Sequence, residues 1–162
     1  MTRAGCPWLA IRLTAEHRGA CSPLAGAHVD VWHADATGLY SDEAVLHTSG
    51  QRFLRGYQVT GRDGAVAFRT VYPGWYPGRT PHIHVKVRTY SPAGDVTLSF
   101  TSQLYFDEAV TSAVLANGPY AGRGPRDTTN ARDELFDPKM LVALTRSGPG
   151  YAGAFELVLR TG

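Results

Sequence analysis

Residues 75–87 read Trp-Tyr-Pro-Gly-Arg-Thr-Pro-His-Ile-His-Val-Lys-Val and change in character half-way along. The prolines and the glycine of the first half are typical of a turn, and Pro81 favours extended backbone at the residue before it. From His82 onward polar residues alternate with β-branched apolar ones, which predicts a half-buried β-strand. Side chains two positions apart on a strand point to the same face. The sequence therefore places His82 and His84 side by side, directly after a turn.

This histidine pair is the first candidate functional feature of the chain. Two imidazoles on one face of a strand offer two neutral nitrogen ligands to a metal ion. The alternative is that each imidazole is a partly buried side chain that bonds to a backbone carbonyl. The position of the pair at the start of a strand, beside a turn, favours the metal site.

Composition and charge are those of a globular chain with one core. The 162 residues are 43% hydrophobic and 19% charged, so we predict one domain over residues 1–162. The formal net charge is only +2 and the arginines form no run, which argues against a nucleic-acid partner. No apolar stretch reaches the roughly 18 residues of a membrane span, so no membrane partner is expected.

The N-terminal region bears on the compartment in which the protein works. Residues 1–14 lack the basic-then-apolar pattern of a signal peptide, and a leader removed from a longer precursor is the alternative. Cys6 and Cys21 form no Cys-x-x-Cys pattern, so we predict no thiolate metal site. A disulfide between them, around a local loop, would indicate an oxidising compartment. Two unrelated thiols are the other interpretation, and the sequence leaves both open.

Short strands separated by turns run through most of the chain. Alternation or β-branched composition predicts strands at 8–14, 26–33, 53–60, 65–71, 82–90, 96–106 and 154–159, with a further short strand or turn at 141–144. A polar turn is expected at 15–20, a hairpin turn at 61–64, and long loops at 42–52 and 118–138. Residues 107–117 have helical spacing behind the capping Asp107. The prediction is an all-β sandwich of about seven to eight strands with one short helix and long loops.

Three segments, in this order and at this spacing, resemble the intradiol ring-cleavage dioxygenases, the family of the catechol, hydroxyquinol and protocatechuate dioxygenases. None of the three is specific alone, but their order and spacing together are. The resemblance is to a compact, short form of the family. The segments are residues 23–35 with Gly38-Leu39-Tyr40-Ser41, then Arg55-Gly56-Tyr57 with 68–77, and then 79–84 with 102–106.

The resemblance implies a non-haem Fe(III) centre with four protein ligands. They are Tyr40, Tyr76, His82 and His84, with Tyr76 and His84 as the axial pair. Two phenolate oxygens are hard anionic ligands that favour Fe(III) over Fe(II). The implied reaction is cleavage of a catechol-type diphenol with O2 to a cis,cis-muconate-type diacid.

The resemblance also implies roles for three side chains in the reaction. Tyr76 would leave the metal as the substrate binds and take one of its protons. Arg79 would stabilise electron-rich states and orient oxygen atoms, and Gln103 would hydrogen-bond the reacting oxygens. From the residues alone, Arg79 also suits a surface salt bridge and Gln103 an edge-strand amide.

Departures from the family pattern lead to further expectations. The N-terminal helical segment that forms the dimer of larger bacterial members is missing here, so a monomer or a different oligomer is expected. The step from Tyr76 to Arg79 is short, which predicts an open site and a broad range of diphenols. Short members of the family occur in secreted proteins, which favours an extracellular location over a cytoplasmic one. Two hypotheses compete with this one. The first is a non-catalytic module that binds carbohydrate or protein, and the second is a zinc or copper site on the same residues.

Overall fold

Two β-sheets pack face to face, and one α-helix and long connections join their strands. The computed structural model describes residues 8–161. Within this range the helix α1 spans Glu108–Leu115, and short 3-10 helices cover Ala44–Leu46, Gly118–Arg123, Asn130–Arg132 and Pro138–Met140. The predicted all-β sandwich is confirmed. The strands are β1 Trp8–His17, β2 Ala20–Pro23, β3 His28–Trp32, β4 Arg55–Val59, β5 Ala65–Arg69, β6 His82–Tyr90, β7 Val96–Tyr105, β8 Ala143–Ser147 and β9 Gly150–Arg160.

The first sheet is organised around β1. Its order is β2-β1-β9-β8, and β5 pairs with the first half of β1. β1 is antiparallel to β2 and β5 but parallel to β9, from Trp8 opposite Ala152 to Glu16 opposite Arg160. A parallel pair needs a long crossover connection. Here the connection between β1 and β9 contains nearly all the other strands. All four strands of the second sheet belong to it.

The second sheet is antiparallel, with the order β4-β3-β6-β7. Its register places His84 of β6 opposite Trp32 of β3 on one side and Gln103 of β7 on the other. These three side chains therefore share the outer face of the sheet.

The core forms between the inner faces of the two sheets because both strand patterns alternate with a period of two. β1 contributes Leu9, Ile11 and Leu13, and they share one buried cluster with Val85 and Val87 of β6. The side chains on the opposite face of β6 point away from this core and are therefore available for a functional site.

The predicted hairpin at 61–64 is wrong in its pairing, although the turn itself forms. Gly64 N donates to Gly61 O at 3.0 Å, yet β4 belongs to the second sheet and β5 to the first. After the turn the chain pairs with β1 instead of with β4, and this change begins where Leu13 N donates to Gly64 O at 2.9 Å. A Cβ on Gly64 would lie 2.3 Å from Leu13 O, so only glycine permits this approach.

The predicted turn at 15–20 is also shorter in the structure. β1 continues to His17 because β9 pairs with it along its whole length, and a two-residue turn at Arg18 and Gly19, both with positive φ, leads into β2. β2 escaped prediction since all four of its residues are exposed and show no alternation. Cys21 lies on this exposed strand, whereas Cys6 falls outside the described residues, so neither the disulfide nor the alternative of two unrelated thiols is tested.

The predicted long loop at 118–138 contains the 3-10 helices Gly118–Arg123 and Asn130–Arg132 and ends where Pro138–Met140 begins. None of the helices in the described part of the chain combines the length and the apolar character needed to cross a membrane.

Candidate metal centre

The two histidines of β6 point outward from the second sheet, on the face away from the core. Ile83, between them, is buried in the core. His82 is only 1% exposed although it lies on the outer face, so the loops that follow β3 and precede β6 must cover this end of the sheet.

Those loops bring two tyrosines to the histidine pair. Tyr40 follows β3 and Tyr76 precedes β6. The hydroxyl oxygens of Tyr40 and Tyr76 and the Nε2 atom of His84 each lie 3.2 Å from Nε2 of His82. Two phenol oxygens and two imidazole nitrogens therefore converge on one point, which we call the Tyr–His cluster.

The donor set suits a hard, highly charged cation. No group of three or more His, Cys, Asp or Glu side chains in the described residues is placed to hold a metal ion. A metal at this point would therefore have to use tyrosine oxygens beside the two imidazoles, and phenolate oxygens are hard anionic ligands that suit a highly charged cation.

A close backbone contact between the two loops sets the distance between the tyrosines. Gly74 N donates to Asp35 O at 2.9 Å. A Cβ on Gly74 would lie 2.5 Å from that same oxygen, and a Cβ on Gly38 would lie 2.3 Å from Trp75 O. Glycine at 38 and 74 is therefore what lets the turn before Tyr40 rest on the segment before Tyr76.

The loop that carries Tyr40 is tied down by its own polar side chains. One carboxylate oxygen of Asp35 accepts from the backbone N–H groups of Thr37 and Leu39, at 2.8 and 3.0 Å. Thr48 Oγ1 donates to the carbonyl of Tyr40 at 2.7 Å. Asx turns of this kind are common in loops, and here they hold the backbone of a cluster residue.

Tyr76 is positioned differently, by a tight turn. Arg79 N donates to Tyr76 O at 3.2 Å, and Gly78 has a φ of +83°. Pro77 at the second position and a left-handed Gly78 at the third make this a type II turn. The turn places both Tyr76 and Arg79 directly before β6.

Burial keeps the two imidazoles neutral, as metal ligands must be. It lowers the pKa of His82 to about 4 and that of His84 to about 3. Nδ1 of His82 lies 2.8 Å from the carbonyl of Thr80; a carbonyl only accepts, so Nδ1 carries the proton and Nε2 presents its lone pair to the cluster. Burial, reinforced by Tyr76, raises the pKa of Tyr40, so ionisation of this phenol needs a nearby cation.

Arg79 brings a fixed positive charge to the edge of the cluster. Its Nε donates to Asp133 Oδ2 at 2.9 Å, and its Nη2 bonds to Gln103 Oε1. Asp133 is 6% exposed. Burial alone would raise the pKa of its carboxyl, but hydrogen bonds from Leu135 N, Thr80 N and the guanidinium hold it below the usual range. The carboxylate is therefore charged and orients Arg79.

All six side chains expected from the sequence lie together, and two further ones join them. The four members of the Tyr–His cluster, Arg79 and Gln103 occupy one end of the outer sheet face. Asp133 and Tyr105 were not expected. The Tyr105 hydroxyl lies 2.7 Å from Gln103 Oε1, and its place two residues after Gln103 on β7 was a usable signal. Asp133 sits in an irregular loop without periodicity, so no sequence signal pointed to it.

A cavity also lies away from the cluster. It has a volume of about 650 Å³ and lies on the inner side of β6, where Ile83, Phe106 and Tyr151 line it. It belongs to the end of the sandwich between the two sheets.

Comparisons with known proteins agree with this architecture. A family model described as Dioxygenase matches residues 15–118. The dioxygenase domain of a dioxygenase carbohydrate-binding protein fusion from Streptomyces sp. SirexAA-E is 34% identical with a TM-score of 0.68, over 100% of this chain and 85% of that one. An intradiol ring-cleavage dioxygenase from Tetranychus urticae is 30% identical with a TM-score of 0.77, over 98% and 83%.

Matches to curated relatives are shorter. The catechol 1,2-dioxygenase 1 of Acinetobacter lwoffii is 43% identical over 54 residues, which are 33% of this chain and 17% of that protein. The chain spans 17%, 18% and 46% of the length of three such relatives. The family match places the chain among the dioxygenases, a class of oxidoreductases, and within that class it belongs to the intradiol ring-cleavage family.

Replacing Gly74 with alanine is expected to lower the free energy of unfolding by about 2 kcal/mol or more, because the new Cβ overlaps backbone atoms that cannot move aside. Urea denaturation measures the change. Gly122→Ala is the matched control, since nothing lies within 4 Å of its Cβ position. Equal denaturation midpoints for the two variants would contradict the close contact of the loops.

The metal-free protein is expected to lose stability as the pH falls from about 6.5 to about 4. Burial lowers the pKa of His33 and of His82 to about 4 in the folded state, whereas an unfolded histidine titrates near about 6.5. Between these values only the unfolded chain binds the protons, so the loss begins below about 6.5. Urea denaturation in the presence of a chelator, repeated across this window, measures it. His33→Gln should make the loss shallower, and a flat profile would refute the buried neutral state.

Proposed function

We propose that the chain is an Fe(III)-dependent intradiol dioxygenase that cleaves catechol-type diphenols with O2 to cis,cis-muconate-type diacids. One observation carries the proposal, the convergence of two phenols and two neutral imidazoles on a single point beside a fixed guanidinium. A binding module would gain nothing from that arrangement. Family membership supports the same reading.

The iron would be held by Tyr40, Tyr76, His82 and His84. The chemistry that Fe(III) supplies when bound is Lewis-acid activation, by chelation of both diphenol oxygens and withdrawal of electron density from the ring. The protein contributes by presenting Nε2 of His82 and of His84 without bound protons, so that no proton has to leave an imidazole first.

Proton transfer from the diphenol falls to the Tyr76 hydroxyl oxygen. A diphenol that binds through both oxygens would release two protons; Tyr76, half-buried at the edge of the cluster, is placed to accept one of them, and the other would pass to solvent. A phenolate oxygen is a Brønsted base, so the Tyr76 oxygen would be able to take a proton from the diphenol at this position.

Arg79 acts on the charge that develops in the diphenol. Its positive charge is felt at the cluster, since it opposes protonation of His82 and His84 and favours ionisation of Tyr40. A donor preorganised by a buried carboxylate stabilises developing negative charge without having to reorient. Gln103, fixed by Arg79 and Tyr105, is a second polar group on that side.

The range of substrates, the location of the enzyme and its oligomeric state are also part of the proposal. Pro77 and Gly78 are exposed beside the cluster, so the short step between Tyr76 and Arg79 leaves the site open to substituted diphenols. Resemblance to short secreted members of the family supports an extracellular enzyme that works as a monomer or in an oligomer other than the family dimer.

The purified, iron-loaded protein is expected to be reddish, because phenolate-to-Fe(III) charge transfer absorbs visible light. Addition of catechol without oxygen should shift the band to longer wavelength, and admission of O2 should then consume one O2 per catechol. Visible spectra and an oxygen electrode measure this. A protein that stays colourless after Fe(III) loading would overturn the proposal in favour of a binding module.

Variants of the cluster sharpen this test. Tyr76→Phe should keep iron but lose most of the turnover, whereas His82→Ala should lose the metal. Tyr90→Phe, at the far end of β6, is the matched control for the tyrosine. Parental turnover by Tyr76→Phe would remove the base role from Tyr76.

Replacing Asp133 with asparagine is expected to lower kcat about tenfold to a hundredfold while the iron content stays the same, because the guanidinium loses its charged partner but no cluster residue changes. Steady-state oxygen consumption and metal analysis measure the two quantities. Glu134→Gln, the exposed neighbour, should match the parent. Loss of iron from Asp133→Asn would mean that Asp133 supports the cluster itself.

A further inference from the structure

A second, open cleft of about 470 Å³ lies on the outer face of the four-stranded sheet. Trp32 on β3 and Tyr57 on β4 contribute to its walls. Trp32 is also its link to the Tyr–His cluster, because the indole stacks on the imidazole of His84 with ring centroids 4.7 Å apart and planes 4° from parallel. We call this the sheet-face cleft.

The sheet-face cleft has an aromatic surface that is held rigidly but remains accessible. Tyr57 is 61% exposed, yet its ring stacks on His28 at a centroid distance of 5.4 Å and an interplanar angle of 7°. One face of the phenol is thus occupied and the other is free to contact a ligand. Exposed aromatic rings of this kind provide binding area with little loss of side-chain entropy.

The charges of the cleft leave two cations without an acidic partner. Arg55 pairs with Asp42 at 3.3 Å, and Asp30 pairs with Arg88 at 2.7 Å. These pairs occupy both carboxylates that line the cleft. The remaining cations are Arg52 and Lys86, and neither forms an ion pair with any residue that the structure describes.

Strand geometry puts these cations within reach of a substrate held at the cluster. Lys86 lies two residues beyond His84 on the same face of β6, roughly 7 Å along the strand. Arg52 stands on the loop between Tyr40 and β4. A side chain on a diphenol ring that leaves the cluster across Trp32 would enter the cleft that Arg52 and Lys86 line.

We propose that the sheet-face cleft is a subsite for an anionic side chain on the diphenol, with the apolar part of the chain on Trp32 and its carboxylate against Arg52 and Lys86. The preferred substrates are then catechols that carry a carboxylate at the end of a short side chain. An arginine recognises a carboxylate through two parallel N–H donors and a lysine through a compact charge. This proposal rests on the proposed function, because it names the substrate class of the same site.

The first test compares hydrocaffeate, a catechol with a propanoate side chain, with its uncharged methyl ester on the iron-loaded protein. Oxygen consumption gives kcat/KM for each compound and for catechol. We expect hydrocaffeate to exceed the ester about fivefold, the size that two partly exposed charge contacts produce, and added salt to reduce the difference. In the double variant Arg52→Gln/Lys86→Gln the ratio should fall to about one.

Arg62→Gln/Lys139→Gln is the matched control. Arg62 is exposed in the turn before β5, and Lys139 is the other lysine of the chain, so the control removes the same charges elsewhere. Its ratio should equal that of the parent. A parent that cleaves catechol but treats hydrocaffeate and its ester alike would overturn the subsite and leave the proposed function standing.

A binding measurement on the metal-free protein tests the subsite without turnover. Quenching of tryptophan fluorescence follows titration with hydrocaffeate and with the ester. Tighter binding of hydrocaffeate in the parent, lost in Arg52→Gln/Lys86→Gln, supports the cleft even if no compound is cleaved, which would defeat the proposed function alone. Equal binding of both compounds to the parent and the double variant would overturn the subsite.

Discussion

Strand β6 has to satisfy two environments at once, and the rest of the molecule follows from this. A strand alternates strictly, so burying Ile83 and Val85 in the core commits His82 and His84 to the opposite face. That face would ordinarily meet water. Here the loops after β3 and before β6 cover it, and the backbone contact between Asp35 and Gly74 determines how closely they do so. Packing in the core and geometry at the site are thus two results of one alternation.

Electrostatics at the site is arranged before any metal or substrate arrives. The imidazoles are neutral through burial, and a backbone carbonyl orients the ring of His82. One buried carboxylate, Asp133, orients the permanently charged guanidinium of Arg79. Groups that are already in place lose little free energy in reorganising when charge appears. The polar residues that achieve this lie mostly on loops, where a rigid sheet positions them.

Sequence reasoning succeeded where physical patterns are local. Alternation located β6 and its outward histidines, and helical spacing located α1. It failed where a distant strand decides the outcome, as at Gly64, whose turn joins two sheets because β1 binds it. Tyr40 and Tyr76 carry no local signal, since a loop tyrosine is usually an ordinary surface residue, and only the family resemblance singled them out. Asp133 had neither periodicity nor a motif and appeared only in three dimensions.

The parallel pairing of β1 with β9 has a consequence for how the protein forms. These strands are separated by almost the entire chain, so the contacts between them have high sequence separation, and such contacts form slowly. During synthesis β1 emerges long before β9 and has no β9 to pair with until Arg160 has left the ribosome. Until then β1 offers a free edge rich in apolar residues, which is a template for association with other chains. The same pairing, once made, holds the first and the last strand of the described residues together, so that neither separates without breaking the hydrogen bonds between them.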